Sequence, residues 1–91
     1  LNAAVAAYEA RVAQLRRILA LAVELGAEAD PLVELADDAE VGSYQIGVLS
    51  PIGPLDRQRL LTAPEPQQRL DLLEELLDDQ ELMLRARLDD L

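Results

Sequence analysis

The placement of proline and glycine constrains this chain more than any other feature. Pro51, Gly53 and Pro54 fall together near the middle, and Pro64 and Pro66 follow shortly after. Proline has no amide hydrogen and clashes with the preceding turn, so a helix either stops before it or carries it in its first turn. The two breaks therefore cut out a short helix over Pro54 to Ala63. They then launch a last helix at Pro66 that nothing interrupts before Leu88. Asp30-Pro31 blocks helix at a third point, which leaves four helical segments.

Composition favours helices over a sheet. The 91 residues contain two tyrosines and no Phe, Trp or Cys, so a core has to be built from Leu, Ile, Val and Ala. In the first segment Leu1, Val5, Tyr8, Val12, Leu15, Leu19 and Ala22 recur in steps of three and four, with Ile18 and Leu25 widening the stripe. That period predicts an amphipathic helix over Asn2 to Leu25, with Asn2 as N-cap and Gly26 as the left-handed closing residue. At 1.5 Å per residue it is roughly 35 Å long, and only the helix Pro66 to Leu88 can cover it. There Leu70, Leu73, Leu77 and Leu84 form one inner row and Leu72, Leu76 and Met83 a second. Glu74, Glu75, Asp78, Asp79 and Glu81 are expected on the outer side.

Between the long helices, residues 26–38 read as an acidic loop pinned by Leu32, Val33 and Leu35. Asp37 or Asp38 then caps a helix whose buried side is expected to be Ala39, Val41, Tyr44, Val48 and Leu49. Gly42 and Gly47 each weaken that helix by about 1 kcal/mol relative to alanine, which predicts close approach of a neighbour; Gly47 is expected to face a long helix. In the third helix Leu55, Leu60 and Leu61 point inward and Asp56, Arg57 and Arg59 face water. Glu65 occupies the capping slot of the fourth. The expected fold is one all-α domain, an antiparallel bundle in which two long helices clasp two short ones.

Eighteen acids against eight arginines give a net charge of -10, so phosphate is repelled and no nucleic-acid partner is expected. No apolar run reaches the length of a membrane span, and the early apolar residues are interrupted by Glu9, Arg11, Gln14, Arg16 and Arg17. The lack of cysteine suits a reducing cytoplasm. Histidine and lysine are absent too, so Ser43, Ser50, Thr62 and the tyrosines have no base to activate them. Gly42, Gly47 and Gly53 lack the spacing and the lysine of a phosphate loop. The acids from Glu74 to Glu81 read as a solvated face. Catalytic, cofactor and metal residues are therefore all expected to be none. Arg57, Gln58, Arg59 and Arg69 are assigned orientation roles, with Gln58 bridging backbone groups and Arg69 pairing with Asp56 or Glu65.

The order of parts from Tyr44 to Leu77 resembles the helical, C-terminal half of the Lon-protease N-terminal (LON) domain family. The parts are an apolar helix, a Pro/Gly break, Asp56-Arg57-Gln58-Arg59-Leu60-Leu61 as D-x-Q-x-L-L, a second break, and Arg69-Leu70 heading a leucine helix. The Ala/Leu-rich flavour is similar to stand-alone LON-domain proteins of high-GC bacteria. The resemblance implies a non-catalytic domain that recognises unfolded or tagged protein substrates and carries neither ATPase nor peptidase module. It transfers no binding residue to a numbered position. The chain begins at Leu1 inside a helical pattern, so a preceding β-rich half is expected in a longer polypeptide. Without that half, the leucine rows are expected to drive formation of a homodimer. The alternative reading is a structural helical module that dimerises through the same rows.

Overall fold

A computed structural model describes residues 3–91. It contains four helices: α1 (Ala3–Glu24), α2 (Ala39–Leu49), α3 (Pro54–Thr62) and α4 (Pro66–Asp89). The fold is all-α, with two long helices and two short ones, and the described residues contain no strand. Leu1 and the expected N-cap Asn2 lie outside the described residues.

The helix ends follow the local chemistry. Gly26 has a φ of +99°, and its N–H donates to Val23 O while Ala27 N donates to Ala22 O, both at 2.9 Å. This is the paired closure that a left-handed glycine permits. At the start of α2, Val41 N donates to Asp38 Oδ2 at 3.3 Å, so Asp38 is the cap. Pro54 and Pro66 sit in the first turns of α3 and α4. Glu65 stands at the N-cap of α4 without a side-chain cap bond, so its role there is limited to negative charge near the positive end of the helix.

The two long helices run in the same direction, which corrects the antiparallel arrangement expected of them. Arg11 lies 3.8 Å from Glu74 and 3.9 Å from Asp78, Gln14 bonds Asp78 and Glu81, and Arg17 bonds Glu81. Partners thus advance together along both chains. The reason lies in the segment 26–38, which travels back along α1: Arg16 holds the carbonyls of Pro31 and Val33, and Tyr8 holds that of Ala36. Returning from Leu25 to Tyr8 covers roughly 25 Å of helix, within reach of a dozen or so extended residues. The loop is the return stroke, and α4 can then begin at the end where α1 began.

Tyr8, Leu15, Ile18 and Leu19 of α1 meet Leu70, Leu73, Leu76, Leu77 and Leu84 of α4, and Ile46, Ile52 and Leu60 close the core. The first leucine row is therefore covered within the chain. In the second, Leu76 is buried, Leu72 is half-buried and Met83 is exposed. Glu81 is not on the outer side as expected, because Arg17 draws it against α1. Val5 is more exposed than its place in the stripe predicts.

The largest departure is in α2. Its buried residues are Gly42, Ser43, Ile46 and Gly47, whereas Val41, Tyr44, Val48 and Leu49 are exposed. The expected buried side is therefore the outer side, with Ala39 half-buried at its edge. Three of the four inward positions are small, Ile46 being the exception, and at Gly42 there is no room for more: a Cβ there would collide with the ring and hydroxyl of Tyr8. Gly47 faces Leu60 of α3, not a long helix. In α3 only Leu60 is buried; Leu55 is 83 % exposed and Leu61 38 %. Among the described helices this nine-residue one packs on α2 and α4, which leaves it one narrow inner face that residues adjacent in sequence cannot share. Leu32 also points outward, while Val33 and Leu35 pack on the core as expected.

Candidate functional site

Arg69 anchors the corner where α2, α3 and α4 meet. It is 1 % exposed, in the first turn of α4. Its Nε donates to Ser43 Oγ at 2.8 Å, one terminal nitrogen to Ala63 O at 3.0 Å and the other to Glu40 O at 3.5 Å. The guanidinium carbon lies 3.6 Å from the centroid of the Tyr44 ring, within cation–π range. The expected pairing with Asp56 or Glu65 is absent: Asp56 pairs with Arg59 at 3.0 Å. A buried guanidinium satisfied by carbonyls, a hydroxyl and a ring explains why arginine, with its planar fork and weak hydration, occupies this position.

The consequence for the surface is that α2 is locked from beneath. Ser43 accepts from Arg69 and donates to Glu40 O, Ser50 Oγ donates to Ile46 O, and Gln45 Oε1 accepts from Ala36 N at 2.7 Å. On top of this anchored helix, Val41, Tyr44, Val48 and Leu49, flanked by Glu34 and Gln45, line an open apolar groove. A second, more polar cleft lies beside Tyr8, Val12 and Arg16 under the loop. Burial, aided by Asp37 and Asp38, raises the Tyr8 phenol above its ordinary pKa, so it remains a donor to Ala36.

The side-chain hydroxyls of Ser43, Ser50 and Tyr8 bond backbone carbonyls, as does Thr62 through Gln58 O and Arg59 O. Gln58 is exposed, and it is its backbone oxygen that is engaged, by Thr62; the expected side-chain bridge between helices is not formed. Arg57 leans over the end of α2 toward Ser50 O and Ile52 O at 3.4 and 3.5 Å, with its Nε unpartnered. Arg59 is exposed, as expected. Among the described residues no three acidic side chains gather as a cation site would require.

Across α1 and α4, Glu81 accepts from Arg17 and Arg85, each at 2.9 Å, and from Gln14 at 3.3 Å. The Arg17 bond, assisted by Arg85 and Gln14 and opposed by burial, holds the Glu81 carboxyl down to about 2. This clasp is structural, since each member is engaged by the facing helix or by its own. Gln14, 3 % exposed, is a polar interruption of the apolar run in sequence, yet its place four residues before Ile18 puts it on the inner stripe.

Compared with known protein families, curated proteins and solved structures, the chain matches none. No described helix is long and apolar enough to cross a membrane.

Proposed function

We propose that this chain is a non-catalytic, cytoplasmic recognition module for unfolded or tagged polypeptides, of the type formed by the helical half of a LON domain. The observation that supports it is the apolar outer face of α2, displayed on a helix held from beneath by Arg69 and Ser43 and at its flank by Gln45. An exposed apolar face on a rigid support suits contact with another polypeptide. The motif residues also take supporting positions: Leu60 of D-x-Q-x-L-L packs under Gly47, and Arg69 of the Arg-Leu pair stacks on Tyr44.

The test is a titration of the chain with a reduced, alkylated and permanently unfolded protein, alongside the same protein folded. Saturable binding of the unfolded form alone, without cleavage of it in the presence or absence of nucleotide, is expected. Equal affinity for both forms, or turnover abolished by replacing one serine or threonine, overturns the reading.

The rival is an assembly module that pairs through leucines. Its warrant is reduced to the second row, where Met83 is 47 % exposed, because the first row is already covered by α1. Sedimentation equilibrium from low to high salt decides it: a dimer that strengthens with salt and is lost in Met83→Glu favours assembly, and a monomer throughout removes it.

A further inference from the structure

We infer that the outer face of α2 takes a short amphipathic helix carrying lysine or arginine beside its apolar residues. The inference rests on the polypeptide-binding reading above and deepens it by naming the surface and the chemistry of its occupant.

The spacing comes first. Val41, Tyr44 and Val48 follow one another at i, i+3 and i+7, with Leu49 beside them, so their side chains rise along one stripe of an eleven-residue helix. Such a stripe matches the i, i+3, i+4, i+7 anchors of a helix laid alongside it. Ile46 is the one large apolar residue of α2 that turns inward, beside Gly42, Ser43 and Gly47; Val41, Tyr44, Val48 and Leu49 are on the side away from the core.

The charge around the stripe is one-sided. Between Arg17 and Arg57 the sequence holds eight acids and no base, and this stretch contains α2 and the loop that leads to it. Glu34, Asp37, Asp38 and Glu40 are exposed, and none of them is among the ion pairs of the described residues. The nearby arginines are otherwise engaged: Arg16 on loop carbonyls, Arg57 on carbonyls past the end of α2, and Arg69 sealed beneath Tyr44. An apolar stripe bordered by uncompensated carboxylates complements an occupant with apolar and cationic residues, and its on-rate rises with their charge.

A second copy of the chain fits poorly. It would bring the same acids against these, and four partly exposed side chains fall well short of the roughly 800 Å² that each partner buries in a stable interface. One or two turns of a partner helix match the face better.

Three fluorescein-labelled peptides of about three turns test the inference by anisotropy. One has leucines at i, i+3, i+4 and i+7 with lysines elsewhere, one has glutamates in place of the lysines, and one has the first composition in scrambled order. The lysine helix is expected to bind saturably and less tightly as salt rises, and to bind at least about tenfold more tightly than either control. The double variant Val41→Gln/Val48→Gln alters exposed positions only. It is expected to weaken binding of the lysine helix about tenfold with an unchanged circular-dichroism melt. If the melt does shift, amide chemical-shift changes in the unaltered chain serve instead and are expected to centre on residues 41–49. Absent binding, equal binding of the scrambled or glutamate peptide, indifference to the double variant, or shifts centred elsewhere overturns the inference. So does self-association abolished by the same variant, which would assign the face to a second copy. The unfolded-protein titration separates the two readings: if it survives the double variant, the recognition reading stands and this surface falls, whereas peptide binding without unfolded-protein binding leaves the surface standing alone.

Discussion

Two glycines in one helix are expected to respond with opposite sign to the same substitution. Gly42 and Gly47 both lie buried inside α2, and at a helix interior glycine to alanine is worth about 1 kcal/mol of added stability. At Gly47 the new methyl carbon would lie 3.4 Å from Leu60 Cδ1 and 3.8 Å from Leu60 Cβ, ordinary contact distances. Gly47→Ala should therefore keep most of the gain, about 0.5 to 1 kcal/mol. For a domain of this size that raises Tm by about 3 to 6 °C. At Gly42 the methyl would fall inside the Tyr8 ring. That ring is 4 % exposed and its hydroxyl is tied to Ala36 O, so it has little freedom to move aside. Overpacking costs about 1 to 3 kcal/mol and the lost hydrogen bond about 1 more. Against the propensity gain, Gly42→Ala should lose about 1 to 3 kcal/mol net. Thermal and urea melts followed by circular dichroism measure both, with coincident transitions as the check on two-state behaviour. A stabilised Gly42→Ala, or shifts of the same sign at both positions, would refute the placement of α2 against Tyr8.

Gly47→Leu should overpack the Leu60 contact and cost about 1 to 3 kcal/mol, reversing the sign of the alanine change at the same position; a neutral melt would show that α3 yields freely. Arg69→Ala takes the side-chain donor from Ala63 O, leaves Glu40 O with Ser43 Oγ alone as side-chain donor and removes the stack on Tyr44, an expected loss of about 2 to 4 kcal/mol by urea denaturation. Arg69→Lys should recover less than half of it, because an ammonium cannot reproduce the fork, and full recovery would contradict that geometry. Glu81 is expected to confer acid sensitivity. Its folded pKa of about 2 lies below the ordinary 4.5, so its stabilising effect is complete above about pH 4.5 and is lost as pH falls toward 2. With Arg17 and Arg85 half-exposed, screening limits the effect to about 1 to 2 kcal/mol. Glu81→Gln should be less stable at pH 7 and indistinguishable from the unaltered chain near pH 2; an equal gap at both pH values would count against the clasp.

The helix boundaries were legible because they depend on local chemistry. Proline in a first turn, aspartate at a cap and glycine at a helix end act within one turn of chain, so α3 and α4 start where Pro54 and Pro66 predict and α1 closes on Gly26. The facing of the long helices was legible too, since a sustained stripe such as Leu15, Ile18, Leu19 and Ala22 has one way to be buried. Short helices gave no such guarantee. Over eleven residues α2 carries an apolar stripe and a small-residue stripe, and hydrophobicity alone selects the wrong one. The loop misled for a different reason: three carbonyls captured by Arg16 and Tyr8 determine its course, and backbone acceptors leave no trace in sequence.

These two departures are linked, and together they produce the candidate surface. Because the loop returns along α1, α2 starts beside Tyr8, near the end of the bundle where α4 also begins. There Tyr8 fills the space over Gly42 and Arg69 reaches Ser43 and Glu40. Where a tyrosine and an arginine meet the helix on its inner side it offers them small residues, Gly42 and Ser43, and of its large apolar residues only Ile46 turns inward while Val41, Tyr44, Val48 and Leu49 face outward. Tyr44 joins the two sides: one face of its ring lies on the buried guanidinium, and the residue as a whole is 37 % exposed and lines the groove. Burying Val41, Val48 and Leu49 against a partner would recover the contact that α2 gave up in order to pack by its glycines. The outer face is thus apolar as a direct consequence of how the inner face had to be built.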